Sequence, residues 1–284
     1  MFAMKCLPAC LLLCLIAAPL AAQAPAVFEN GVVNGATYIP FGQAGHAPAP
    51  GSIVVIFGTS FASGLSQSMT VPLSTSLGGV SVAFNNVTAP LFYVTAGQIA
   101  AQMPAGITGS SAMVTVRNSA GTSPARTVQT APTSPGIFTL NQQGTGQGIV
   151  VFATEPRVFA AVPTIQIPAC PPPSGVELCA RPARAGDFLT IYANGLGAVQ
   201  PAVADGSAAP PAEPLARTVV NPEITVGNVR ATNVLFSGLV PGLVGLYQIN
   251  FQIPAAVATG NAVPLRIAAG GVTSSSMVTI AIQQ

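Results

Sequence analysis

Cys170 and Cys179 flank a short run that opens with Pro171-Pro172-Pro173. Two thiols this close can form a disulfide that pins a loop tip, and a rigid loop binds a partner at lower entropy cost. With no histidine beside them they cannot complete a usual zinc shell. The chain has one histidine, His46, which a Ser-His-acid triad would have to use. Ser60 and Ser63 lie on the next loop, but neither sits in a Gly-x-Ser-x-Gly elbow. Glu29, Glu155, Glu177, Asp187, Asp205, Glu213 and Glu223 are scattered. They offer no close pair suited to glycoside hydrolysis, and Asp205-Gly206 reads as a turn rather than a calcium loop. The expectation is therefore no catalytic residues, no metal and no cofactor. The competing class is an exported hydrolase, which would have to build its site from His46, Ser60 and acids of both halves of the chain.

A carbohydrate-binding module would need exposed aromatic rings against which sugar C–H faces can stack. The chain has no Trp, and Tyr38, Tyr93, Tyr192 and Tyr247 fall mostly on predicted strands. That reading depends on exposure of Tyr38 or Tyr93.

The other three cysteines, Cys6, Cys10 and Cys14, lie in residues 1–24, which read as a secretory signal peptide. Lys5 supplies the positive start, residues 7–20 the apolar stretch, and Ala22-Gln23-Ala24 a small-x-small cleavage site. The mature chain would begin near Pro25 in an extracellular or periplasmic bacterial setting, where a Cys170–Cys179 disulfide can persist. Charged residues make up only 6% of the sequence and mean hydropathy is +0.61. Yet Gly and Pro interrupt every mature apolar run before it reaches the ~18 residues a membrane span needs. The only lysine is Lys5, so arginines and acids nearly balance in the mature chain, which gives no reason to expect nucleic acid or an anionic membrane surface as partner.

These residues are held by an internal duplication. Pro50-Gly51-Ser52-Ile53-Val54-Val55-Ile56-Phe57 parallels Ala185-Gly186-Asp187-Phe188-Leu189-Thr190-Ile191-Tyr192. Pro72-Leu73 parallels Pro214-Leu215, and Ser81-Val82-Ala83-Phe84-Asn85-Asn86-Val87 parallels Glu223-Ile224-Thr225-Val226-Gly227-Asn228-Val229. Gln98-Ile99-Ala100-Ala101-Gln102-Met103-Pro104 parallels Gln248-Ile249-Asn250-Phe251-Gln252-Ile253-Pro254. Order is kept while the offset grows twice, so the second copy has longer loops. Val80, Val82 and Phe84 alternate with smaller residues, and Ile249, Phe251 and Ile253 share one strand face. Asn85-Asn86 and Gly227-Asn228 suit two-residue hairpin turns. No capped helical period is present, so helix should be minor. The pattern predicts an all-β chain of two tandem immunoglobulin-like β-sandwich domains, although the usual immunoglobulin cysteine–tryptophan core is absent. The first should span residues 25–140 with an N-terminal lead-in, and the second residues 141–284 with a disulfide loop insertion. The glycine-rich residues 142–148 are expected as a flexible joint.

With both copies aligned, the chain resembles a family of uncharacterised secreted bacterial proteins abundant in acidobacteria, the "Solibacter-type" C-terminal domain. Ala49-Pro50-Gly51-Ser52-Ile53-Val54-Val55-Ile56-Phe57-Gly58, Pro135-Gly136-Ile137-Phe138, Asn194-Gly195-Leu196-Gly197 and Gly245-Leu246-Tyr247-Gln248-Ile249-Asn250 carry the match. The resemblance implies a secreted β-rich unit, often attached to larger extracellular proteins. Residues 155–184 look longer here than in the family, which makes the cysteine loop a feature of this chain.

A second insertion, residues 237–245, places Leu239, Val240, Pro241, Leu243 and Val244 in a loop that should be polar. Such a loop either packs between the modules or forms an interaction surface. The sequence thus predicts a secreted, non-catalytic binding, adhesion or structural module. Its partner would be an extracellular polysaccharide or protein, with self-association as an alternative.

Overall fold

The computed structural model describes residues 23–43, 45–171, 174–275 and 277–284. The expected leader lies outside the described residues except for Gln23 and Ala24. Side-chain alternation sets the strands. In Val80–Phe84, Val80, Val82 and Phe84 are buried and the residues between them half-buried. In Tyr247–Gln252, Ile249 and Phe251 are wholly buried. The amides on the opposite face find partners: Thr190 Oγ1 donates to Asn250 Oδ1 at 2.9 Å, and Gln252 Nε2 donates to the Gly186 carbonyl at 2.9 Å. Asn85 and Asn86 have φ of 48° and 65°, the double positive φ that a tight I′ hairpin requires.

The first module packs two sheets face to face. One runs Ala26–Asn34, Ile53–Thr59, Gln98–Gln102, Leu91–Val94 and Ser66–Gln67 in spatial order; the other centres on Val80–Phe84 and Ser111–Asn118. Between them lie Ile56, Phe61, Phe84, Leu91, Ile99 and Met103. Each such fully buried side chain contributes ~1.5–3 kcal/mol over its exposed state. The second module repeats the plan. Phe188–Asn194 pairs with Tyr247–Gln252 as Ile53–Thr59 pairs with Gln98–Gln102, and Glu223–Val226 pairs with Gly260–Ala269 as Val80–Phe84 pairs with Ser111–Asn118. Its core contains Leu189, Ile191, Ile224, Ile249, Phe251 and Leu265. The chain is all-β, two tandem immunoglobulin-like β-sandwiches, with no helix among the described residues.

Two local expectations change. The glycine-rich stretch is no loose joint: Gly136–Ile137 pairs antiparallel with Phe188–Asn194, and Gly146–Gln147 pairs parallel with Val278–Ile282. Gly136–Ile137 thus joins a sheet of the second module ahead of residue 141. A Cβ on Gly144 (φ +69°) would lie 2.3 Å from the Thr37 carbonyl oxygen, so this glycine serves close packing rather than flexibility. The cysteine insertion is also more ordered than a loop, because Glu155–Ala160 and Cys179–Arg181 pair in parallel and widen that sheet to nine strands.

Candidate functional site

The junction of the modules begins at two asparagines that end strands, Asn34 at the end of Ala26–Asn34 and Asn194 at the end of Phe188–Asn194. Asn34 and Asn194 are completely buried. Asn194 Nδ2 donates to Asn34 Oδ1 at 2.9 Å and to the Ile53 carbonyl at 2.7 Å, while its Oδ1 accepts from the Ile53 N–H at 3.0 Å. Asn34 Nδ2 donates to the Ser134 carbonyl at 2.7 Å. Further along, the Asp205-Gly206 turn is pinned to the first module. The Ala105 N–H donates to Asp205 Oδ1 (2.9 Å), the Gly206 N–H to Gln102 Oε1 (2.6 Å), and the Leu73 N–H to the Gly206 carbonyl (2.8 Å). Two sandwiches joined in this way leave a cleft of about 360 Å³ between them, lined by Pro50, Ile107, Pro132, Val199, Val203 and Leu239 among others.

The apolar insertion is divided by this junction. Leu239 and Val244 are buried and Val240 and Pro241 half-buried, so of the five named residues only Leu243, 47% exposed, presents itself to solvent. Leu239 lines the cleft wall. Tyr247, expected on a strand, is buried there too; its hydroxyl donates to the Gly197 carbonyl at 2.6 Å, and burial pushes its pKa upward.

A second concavity lies on the edge of the first module. The first strand bulges between Val27 and Val32, which releases residues 28–31 from the ladder and turns Phe28 outward. Phe28 and Phe41 are 50% and 51% exposed and flank a shallow groove with Asn30, His46, Arg126 and Gln129. Phe41 meets His46 edge-to-face at 5.0 Å. His46 Nδ1 donates to the Gln43 carbonyl at 2.6 Å, and Nε2 lies 2.9 Å from the Gln129 carboxamide oxygen as placed. Arg126 Nε donates to the Val27 carbonyl at 3.1 Å and thereby crosses from one sheet edge to the other.

His46 and Ser60 line separate concavities, and Ser60 borders the one containing Ser63 and Asn118. Both ring nitrogens of His46 are already engaged. Five of the six acids of the second module lie against arginines: Arg157–Glu177 (3.2 Å), Arg181–Glu155 (2.8 Å), Arg217–Glu213 (2.9 Å) and Arg230–Glu223 (2.8 Å), with Asp187 at 3.8 Å from Arg181; the sixth, Asp205, accepts the Ala105 N–H instead. The Leu215 N–H and the Arg217 guanidinium hold the Glu213 carboxyl below the usual range. These pairs are largely exposed and add little stability each. No group of three potential metal ligands occurs among the described residues. Of the remaining tyrosines, Tyr38 packs near Phe57 with ring centroids 6.4 Å apart, and Tyr93 accepts a hydrogen bond from Gln98. Both are half-buried, which raises their pKa values. Sequence reasoning searched tyrosines and missed Phe28 and Phe41. The available signal was a phenylalanine in the Gly/Pro-rich lead-in, Pro40-Phe41-Gly42, where no strand exists to bury it.

Cys170 and Cys179 form the disulfide, with Cα atoms 5.1 Å apart. Pro172 and Pro173 within the ring lie outside the described residues. Ile167 packs with Val151, Phe159 and Tyr192 in a small satellite core, whereas Ile165 is fully exposed. Replacing both cysteines by serine should release about 2–3 kcal/mol of loop-closure stabilisation. Amide exchange should accelerate at Cys170 and Ala180, whose N–H groups bond across the insertion, and stay unchanged at Ile249 and Phe251. Equal acceleration in the core would show the insertion to be part of one cooperative unit.

Fold and site together define a two-module immunoglobulin-like protein with a groove on an edge of its first sandwich and a cleft at its junction. Residues 45–135 match the model of the IPT/TIG domain, a match that stops just before Gly136. No curated protein matches the chain. Among solved structures, the chain is similar to the surface glycan-binding protein PbSGBP-B of Prevotella bryantii at 11% identity and a TM-score of 0.25, covering 90% of this chain and 42% of that one. It is also similar to the mixed-linkage glucan utilization locus SGBP-B of Bacteroides ovatus (10% identity, TM-score 0.31, 84% of this chain and 42% of that one). The I9-I11 tandem of titin matches at 10% identity and a TM-score of 0.21, with 92% of this chain and 67% of that one covered. The chain thus spans under half the length of the two glycan-binding proteins. No described helix is long and apolar enough to cross a membrane.

Proposed function

We propose that this chain is an exported, non-catalytic binding module that holds an extracellular polysaccharide in the edge groove of its first sandwich. The observation that carries the reading is the convergence of two half-exposed phenyl rings with Asn30, His46, Arg126 and Gln129 on one groove. Phenyl faces suit the C–H faces of sugar rings, and planar amide and guanidinium groups suit adjacent hydroxyl pairs. The groove encloses only about 20 Å³, a form that fits a polymer lying across the surface rather than a small molecule swallowed whole. A disulfide and the leader-like N-terminal sequence support export. Carboxylates engaged by arginines and a histidine with both nitrogens occupied support a binding role over a hydrolytic one.

Affinity electrophoresis in gels containing xylan, mixed-linkage glucan or polygalacturonate tests the proposal. The parent chain should be retarded by at least one polymer. Phe28→Ala and Phe41→Ala should each weaken that retention about tenfold while melting like the parent, since both rings are half-exposed. Retention by none of the polymers, or retention unchanged in both variants, would overturn the reading.

A further inference from the structure

We propose that the cleft between the modules is a second binding site, made for a small, uncharged, apolar molecule. Its walls come from the two places where the second copy of the repeat is longer than the first. The segment between Tyr192 and Pro214 supplies Gly197, Val199 and Val203, and the insertion at residues 237–245 supplies Leu239. The extra sequence that distinguishes the copies therefore builds one cavity, against Pro50 and Ile107 of the unmodified copy.

The chemistry of the lining selects the ligand. The two polar side chains that reach it are already committed. Gln102 donates through Nε2 to the Gly51 carbonyl at 3.2 Å and accepts the Gly206 N–H, and the Tyr247 hydroxyl donates to the Gly197 carbonyl. Among the described residues, no carboxylate, guanidinium or imidazole lines the cleft. A charged or strongly polar ligand would lose its hydration with nothing in return, while an apolar one gains from burial. A volume of about 360 Å³ falls within the range of small-molecule sites, and the hydrogen bonds that clamp the Asp205-Gly206 turn hold the walls in place before any ligand arrives.

The probe is N-phenyl-1-naphthylamine, an uncharged dye that brightens in apolar surroundings. Direct excitation of the dye, at wavelengths longer than tryptophan absorbs, keeps the tryptophans introduced below out of the signal. Titration should give a saturable rise corresponding to one dye per chain. Ala198 and Ala202 line the cleft yet are exposed, so Ala198→Trp and Ala202→Trp can fill it without entering either core. Each should weaken dye binding about tenfold or more without lowering the melting temperature. Ile165→Trp, at the exposed end of the cysteine insertion, should bind like the parent, as should Phe28→Ala, which separates this site from the edge groove. If either blocking variant fails to fold, the other is read alone. A parent titration without saturation, or equal dye affinity in the folded blocking variants and the parent, would overturn the proposal.

Discussion

Asn194→Ala is expected to lower the free energy of unfolding by about 3–4 kcal/mol. The substitution removes three hydrogen bonds at a completely buried position, where each is worth ~0.5–1.5 kcal/mol net. It also leaves the part-buried Ile53 N–H without its partner, and an orphaned buried donor costs ~1–3 kcal/mol in addition. Asn34 Oδ1 keeps the Ala36 N–H at 2.9 Å, so the loss stops short of the whole network. Asn233→Ala, which breaks only an exposed contact with Gln252 at 3.1 Å, is the control and should change stability by under ~0.5 kcal/mol. Equilibrium urea unfolding decides the matter. A loss below about 1 kcal/mol for Asn194→Ala would mean that the asparagine pair does not hold the modules together.

The neighbouring glycine should be still less tolerant. Gly195 has φ +72°, and a Cβ there would lie 2.1 Å from the Ser134 carbonyl oxygen, a backbone atom. Ser134 cannot simply retreat: its carbonyl accepts from Asn34 Nδ2 and its N–H donates to the Gly195 carbonyl at 2.7 Å. Positive φ alone is not the main cost. Gly109 has φ +90° with nothing within 4 Å, and Gly109→Ala should cost about 1 kcal/mol. Gly195→Ala adds a collision between modules and should exceed about 4 kcal/mol, enough to abolish soluble expression of a marginal fold. Comparable melting temperatures for the two variants would show that the junction can open to admit a methyl group.

The repeat and its strands were legible because side-chain alternation is local. Ile249, Phe251 and Ile253 point inward for reasons contained in seven residues of sequence. The offsets also exposed the two insertions, although not what they enclose, because the cleft exists only when Pro50 and Ile107 meet Val203 and Leu239 across the chain. Glycine content misled at residues 142–148, since a glycine chosen for closeness to Thr37 has the same letter as one chosen for freedom. The edge groove was hidden for a similar reason: a bulge and a lead-in, neither with a period, bring Phe28 and Phe41 together.

The junction is fastened almost entirely by amides and backbone groups, with Asp205 the one carboxylate in the set described here. Amide pairs neither titrate in ordinary waters nor attract a screening ion atmosphere. The export proposed above would expose the chain to changes in acidity and salinity. With its ion pairs on the surface and a single carboxylate, Asp205, in the seam, the junction depends little on pH or salt.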